Sequence, residues 1–495
     1  MKKENKIERP PVVVILGHVD HGKTTILDFI RKTKVADKES GGITQHIGAY
    51  EIEKDGKKIT FIDTPGHEAF SAMRGRGANT ADIAILVVAG EEGIKPQTKE
   101  AIGHIKKARI PMIVAINKVD KPEANPEKVK RALIEQEVLV ESMGGTIPSV
   151  EVSGKTGKGI EELLEVINLI AEMEQFKGDH SLPGQGVVIE AYMDAFRGAT
   201  ATLLLRDGVL HQGDIVGTAS AFGKAKQLEN FLKKPMKEVF PSQPVVILGL
   251  ESVPQVGEIF KVYSSAEEAQ QHIEQKEKKS AGGEVFDIGP DQKVLNIILK
   301  ADVQGSLEAI EEVFKTIPQE KVVLRILKKE VGDINESDMR LASSGKAKVV
   351  GFRVKKGKIA SDLEEQFKLK AVTFDIIYEL VQSVRFLMER MVSPDEVKNI
   401  IGRMKILAIF FKEGSRRTIG GKVIEGEIKQ GTKTEIIRAE EKIGDGRIIN
   451  LQRNKKDIDK VGKGDECGIL YEFSGDLQEG DILVSYIDEK IKGVL

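Results

Sequence analysis

VVVIL-GHVDHGKT-TILDFIRK, residues 12–32, decides the fold of the first part of this chain. Residues 12–16 are an unbroken apolar run rich in β-branched side chains, the pattern of a strand covered on both faces of a parallel sheet. Gly17 to Thr24 fits G-x-x-x-x-G-K-[ST], and residues 25–32 carry apolar side chains at helical spacing. Strand, glycine loop and helix thus stand in the order a phosphate cradle requires. Glycines let backbone N–H groups turn to the phosphates, and the helix N-terminus adds partial positive charge. The predicted phosphate-binding residues are Val19, Asp20, His21, Gly22, Lys23, Thr24 and Thr25, with Lys23 on the β- and γ-phosphates and the Thr24 hydroxyl on magnesium.

Working outward, Ile59-Thr60-Phe61-Ile62 reads as a strand that ends in Asp63-Thr64-Pro65-Gly66-His67. A carboxylate placed there, Asp63, holds magnesium through water, and Gly66 offers its N–H to the γ-phosphate. The run IPMIVAI leads into Asn117-Lys118-Val119-Asp120. Asp120 can accept from guanine N1–H and the exocyclic amine together, whereas adenine would leave the carboxylate facing a lone pair. An unpaired buried polar group costs about 1–3 kcal/mol, enough to select the base. Ser153-Gly154-Lys155 follows a last short strand and closes over the base. Asn117, Lys118, Asp120, Ser153, Gly154 and Lys155 are therefore the predicted guanine site, and the cofactors are GTP or GDP with Mg2+. Thr44, in Gly41-Gly42-Ile43-Thr44, is the second predicted hydroxyl ligand of magnesium, on a loop ordered by the γ-phosphate.

At 495 residues, the chain needs about three to five domains. Hydrophobic residues make up 40% and charged residues 31%, with a formal net charge of −2, so composition does not mark a nucleic-acid binder. No apolar run is long enough for a spanning helix. The single cysteine, Cys467, excludes an internal disulfide, points to a cytoplasmic location, and reads as a small buried hydrophobe.

The fold class expected is multidomain α/β plus β. A tail (1–9) precedes a P-loop GTPase domain (10–178), then a β-barrel (184–265) of short strands with glycine turns and a charged helical linker (266–290). A small α/β/α domain (291–372) follows from alternating strand and helix patterns, then a connecting helix (373–400) and a C-terminal β-barrel (403–495). Lys346, Lys348, Arg353, Lys355, Lys356 and Lys358 form a basic cluster that suits ribosomal RNA as well as it suits solvent.

GHVDHGKTT, GGITQHIGAY, DTPGHEAFSAMRGRGA, NKVDKPEANP and ADVQGSLEAI resemble bacterial translation initiation factor two, of the translational GTPase superfamily, over almost the whole chain. The resemblance implies that His67 is catalytic and positions the attacking water, that Val19 and Ile43 gate it, and that Asp20 helps to bind a monovalent cation. It implies partners: the 30S and 50S ribosomal subunits, formylmethionyl initiator tRNA and other initiation factors, with no membrane and a monomer as the default. It further implies a formyl-methionine pocket of Lys422, Arg453, Glu466 and Gly468 in the last barrel, although Lys422 stands where a cysteine is expected and Gln452 where a lysine is. The long N-terminal extension of many relatives is expected to be missing, and no arginine is evidently placed as a finger in cis, so hydrolysis should wait on a partner. Two other readings stay open: another ribosome-associated GTPase, and a non-hydrolysing RNA-binding scaffold.

Overall fold

The computed structural model describes residues 6–32, 48–280, 292–392, 395–413, 415–454 and 456–491. Thr44 and Ile43 therefore lie outside the described residues. The chain divides into two compact units, residues 1–388 and 389–495.

The first unit opens with a six-stranded sheet in the order Gly48–Lys54, Lys57–Asp63, Val12–Gly17, Ile83–Ala89, Met112–Asn117 and Ser149–Glu151. Only Gly48–Lys54 runs antiparallel to its neighbour. The unbroken apolar runs arise because both faces are covered. Val13 and Ile15 pack towards α1 (Lys23–Arg31) and the helix Ile160–Glu174. Val12, Val14 and Leu16 pack towards α2 (Ser71–Thr80), α3 (Pro96–Ala108) and the helix Pro126–Ile134. A parallel sheet built this way gathers its loops, and hence its ligand site, at the carboxyl ends of its strands.

A barrel follows. Gln185–Asp194, Gly198–Asp207, Pro244–Leu250, Phe222–Glu229, Ile215–Gly217 and Ile259–Tyr263 pair in sequence and return to the first strand, so no edge is left open. Asp82 ties this barrel to the first domain. Its carboxylate accepts from Arg9 at 2.6 and 2.8 Å, from Arg206 of the barrel at 2.7 Å and from the Val12 N–H at 2.9 Å. Burial pushes its pKa up, but the Arg9 hydrogen bonds and the Arg206 charge outweigh this and hold it below the ordinary value. Asp82→Ala would leave the buried Arg9 guanidinium, and that of Arg206, without their countercharge. We expect it to destabilise the first unit by about 3 kcal/mol, read as a lower denaturant midpoint at unchanged slope. A loss under about 0.5 kcal/mol would show a solvent-exposed pair instead.

The linker region contains the helix Ala266–Ser280. The next domain is a four-stranded parallel sheet in the order Val322–Val331, Lys293–Ala301, Lys348–Phe352, Ala371–Phe374. Its first crossover steps one way and the next two step back, so right-handed connections place Gln304–Lys315 on one face and the other two helices on the opposite face. Gln304–Lys315 also packs on α2: Arg76 pairs with Glu308 at 2.5 Å, and the Gly305 N–H donates to Glu190 of the barrel at 3.2 Å. The basic cluster expected here does not form one patch. Lys346 and Lys348 sit at the start of the strand Lys348–Phe352 and the others at or beyond its end, where Arg353 faces Asp302 at 3.5 Å and Lys356 pairs with Glu364 at 2.8 Å.

The connecting helix runs Ile377–Met391, shorter than the expected 373–400. Ser393-Pro394 follows it in sequence, and proline disfavours helix in the residue before it; by Asp395 the chain is a strand, Asp395–Glu413. In the second unit that strand pairs with Ile482–Ile491 on one side and Arg416–Lys429 on the other, and the remaining strands complete a closed barrel. Cys467 is buried in it with its Sγ 3.5 Å from Met404 Sδ, and burial pushes the thiol pKa up to about 11. Among the described residues no helix is long and apolar enough to cross a membrane.

Candidate functional site

The glycine loop leaves Val12–Gly17 and enters α1 at Lys23, with Gly22 as N-cap in the left-handed region (φ 89°). A Cβ on Gly22 would lie 2.2 Å from the Asn117 amide, so both the backbone angle and the space demand glycine. Among the described residues no side chain caps α1, which leaves its first N–H groups to an anion. Lys23 is buried and donates to the carbonyls of Gly17 and His18 at 3.0 and 2.7 Å. Burial pushes its pKa down to about 8, against the pull of Asp63; phosphate oxygens would supply the countercharge it lacks.

A cavity of about 310 Å³ opens above this loop, within the range of small-ligand sites. Val19, Asp20, Gly22, Lys23, Thr24 and Thr25 line one wall; Gly66 and His67 line a second; Asn117, Lys118, Asp120, Gly154 and Lys155 line a third, joined by Lys121, which the sequence reading missed. His21 does not line it. Its ring is buried against His18, and burial, then the His18 charge, push its pKa down to about 4. Asp20 is exposed in the left-handed region (φ 61°).

At the base wall, the Asn117 side chain lines the cavity and is also tied to the protein. Its amide donates to the His21 carbonyl at 2.8 Å and its oxygen accepts from the Gly154 N–H at 3.0 Å. It therefore joins the phosphate loop to the base loop. Asp120 keeps one oxygen on the Ser153 hydroxyl at 2.6 Å, and Ser153 in turn accepts from the Thr156 N–H at 3.1 Å. Ser153, buried and off the cavity wall, aims the Asp120 carboxylate.

Asp63 is buried and is not among the residues that line the cavity, and Arg31 at the end of α1 approaches it at 3.5 Å while stacking 3.6 Å over the Tyr50 ring. Among the described residues no three His, Cys, Asp or Glu side chains converge on a metal position. The oxygen donors that the glycine loop and the strand Lys57–Asp63 offer are a hydroxyl, Thr24, and a carboxylate, Asp63. That fits a cation completed by phosphate oxygens and water, as magnesium prefers.

His67 is buried next to Gly66. Its Nδ1 accepts from the Ala69 N–H at 3.1 Å, which places the proton of the neutral ring on Nε2. That nitrogen is buried with no hydrogen-bond partner among the described residues, an arrangement that suits a ligand or water. The Tyr378 ring of the connecting helix stands 3.9 Å from the His67 ring, centroid to centroid, at 58°. Nothing in the sequence spacing announces that contact. Burial, then the Arg74 charge, push the His67 pKa down to about 4. The ring is thus neutral at pH 7. With the unfolded value near 6.5, the native state binds fewer protons between about pH 4 and 6.5, so this group favours folding above pH 6.5 and the benefit is lost as pH falls. Nuclear magnetic resonance titration should give a His67 midpoint near 4; one near 6.5 would show a solvated ring.

In the C-terminal barrel, Lys422 pairs in register with Glu466, Gly420 with Gly468, and Gln452 with Gly468 from the other side. Lys422, Arg453, Glu466 and Gly468 thus come together on three neighbouring strands. Lys422 and Glu466 point outwards, and Gly421 is the residue opposite buried Cys467. Arg453 is held bidentately by Asp465 at 2.9 and 2.8 Å.

Three family models match: Elongation factor Tu GTP binding domain over residues 8–173, Elongation factor G domain 2 over 183–263, and Translation-initiation factor 2 over 265–385. Among curated relatives, translation initiation factor IF-2 of Thermotoga petrophila is 41% identical over 99% of this chain and 73% of its own length. The IF-2 of Brucella anthropi is 41% identical over 99% of this chain, and that of Lachnoclostridium phytofermentans 43% over 97%. The chain spans 52% and 44% of the lengths of those two. With 41–43% identity over nearly all of this chain, and 73% of the Thermotoga petrophila protein covered, this chain belongs to the translation initiation factor IF-2 family.

Proposed function

We propose that this protein is a GTPase of translation initiation whose hydrolysis is activated by the ribosome. It binds formylmethionyl initiator tRNA through the C-terminal barrel, stabilises it on the 30S subunit and promotes 50S joining in the cytoplasm, and GTP hydrolysis triggers release. The observation that carries the reading is the meeting of three walls at one cavity: a phosphate loop, a carboxylate aimed by Ser153, and His67 beside Gly66 with no hydrogen-bond partner for its Nε2 among the described residues.

Magnesium held by Thr24, Asp63 and Thr44 would neutralise phosphate charge when bound. Lys23 and the loop N–H groups hold the β- and γ-phosphates, Asp120 selects guanine, and Gly66 donates to the γ-phosphate. His67, neutral, orients the attacking water and offers its N–H to developing charge. Lys422, Arg453, Glu466 and Gly468 would receive the formyl-methionyl end. The test is GTP turnover by the pure protein alone and with 30S and 50S subunits. Strong stimulation by both subunits, with initiator tRNA retained only when the factor is present, is the expected result. Nucleotide binding without stimulation would move the function to ribosome assembly or to a scaffold.

A further inference from the structure

Among the described residues, Arg74 is the largest side chain that solvent does not reach. Four of its contacts are defined. Nη1 donates to the carbonyl of Pro65 at 3.1 Å and to that of His67; Nη2 donates to both carboxylate oxygens of Glu100 on α3 at 2.8 Å each. Glu100 is aimed in its turn by His104, whose Nε2 lies 3.2 Å away. Burial pushes the Glu100 pKa up, yet hydrogen bonds from His104 and Ser71 and the Arg74 charge hold it down at about 2.

The two carbonyls flank Gly66, and peptide geometry makes that consequential. A trans peptide is planar, with its C=O and N–H pointing in opposite directions. Holding the Pro65 carbonyl on Arg74 therefore turns the Gly66 N–H, which belongs to the same plane, away from Arg74. Gly66 itself lies against the phosphate loop: a Cβ there would stand 2.4 Å from Lys23 Nζ and 3.1 Å from the Val19 nitrogen. A planar fork that grips a carboxylate at one end and two carbonyls at the other cannot be reproduced by lysine.

We infer that Arg74, aimed by Glu100, is the positioning residue that holds the Gly66 N–H towards the γ-phosphate of bound GTP. This rests on the reading of Gly66 given above. It makes Arg74 a determinant of preference for the triphosphate over the diphosphate, rather than of nucleotide affinity in general.

The experiment uses the full chain with magnesium and measures the dissociation constants of fluorescent GDP and of a fluorescent, non-hydrolysable GTP analogue. Arg74→Lys should bind GDP within about twofold of the parent and the analogue about tenfold more weakly, the size of one hydrogen bond to a charged group. Glu100→Gln should shift the ratio of the two constants the same way by about threefold, and it decides the matter if Arg74→Lys proves too unstable to bind GDP. Equal weakening of both nucleotides, or no change in either, overturns the proposal. Gly66→Pro, which removes the N–H itself, separates the two levels. If it leaves the ratio unchanged, Gly66 is no γ-phosphate sensor and the underlying reading falls with the inference. If it shifts the ratio while Arg74→Lys and Glu100→Gln do not, only the role of Arg74 is refuted.

Discussion

His67→Ala is expected to retain GTP and GDP binding and to lose ribosome-stimulated hydrolysis by about a thousandfold, within the range of a positioned proton-transfer group. Three observations lead there. The ring sits beside Gly66 at the cavity, its Nδ1 is committed to the Ala69 N–H, and its Nε2 has no protein partner among the described residues. In the fold, alanine removes one hydrogen bond inside a short turn and the ring contacts with Phe70 and Tyr378. The loss should therefore appear in the rate of the chemical step under single turnover, with the dissociation constants little changed. Stimulated turnover that survives the substitution would remove His67 from the mechanism and leave the nucleotide site intact.

Asp120→Asn carries the second large effect, this time on specificity. The Ser153 hydroxyl donates to one oxygen of Asp120, so an asparagine at this position would keep its oxygen on Ser153 and present its NH2 group to the base. Guanine would then meet donor with donor at its amine, while xanthine, with a carbonyl there, would find a partner. We expect GTP affinity to fall by about a hundredfold, the scale of two unsatisfied polar contacts, and xanthosine triphosphate to bind more tightly than GTP. Competition between the two nucleotides for the variant reads this directly. A variant that still prefers GTP would show that another wall selects the base.

The phosphate loop, the Asp63-to-His67 turn and the Asn117-to-Asp120 turn were legible because each follows a strand buried on both faces, and such strands write themselves as unbroken apolar runs. Domain types were legible for the same reason: strand–helix alternation and short strands with glycine turns are local patterns. Other features were not. Asn117 matches a guanine motif, but the bonds that tie it to His21 and Gly154 could not be read there, because the motif records residue types and not which neighbours they reach. The basic cluster looked continuous along the chain because the strand Lys348–Phe352 that splits it was invisible as a distance. Lys121, Arg31 and Tyr378 reach the site through folding alone.

The family, the fold class, a GTP-binding domain and the residue types expected in its nucleotide site can all be read from the sequence, since they depend on short-range spacing and on side-chain chemistry. Only the tertiary structure decided what each of those groups touches: the three donors that converge on Asp82, the hydroxyl that aims Asp120, and the guanidinium of Arg74 that grips both sides of Gly66. Those contacts join residues far apart in the chain, and a hydrogen bond is decided by position within a few tenths of an ångström, which spacing along a sequence does not encode.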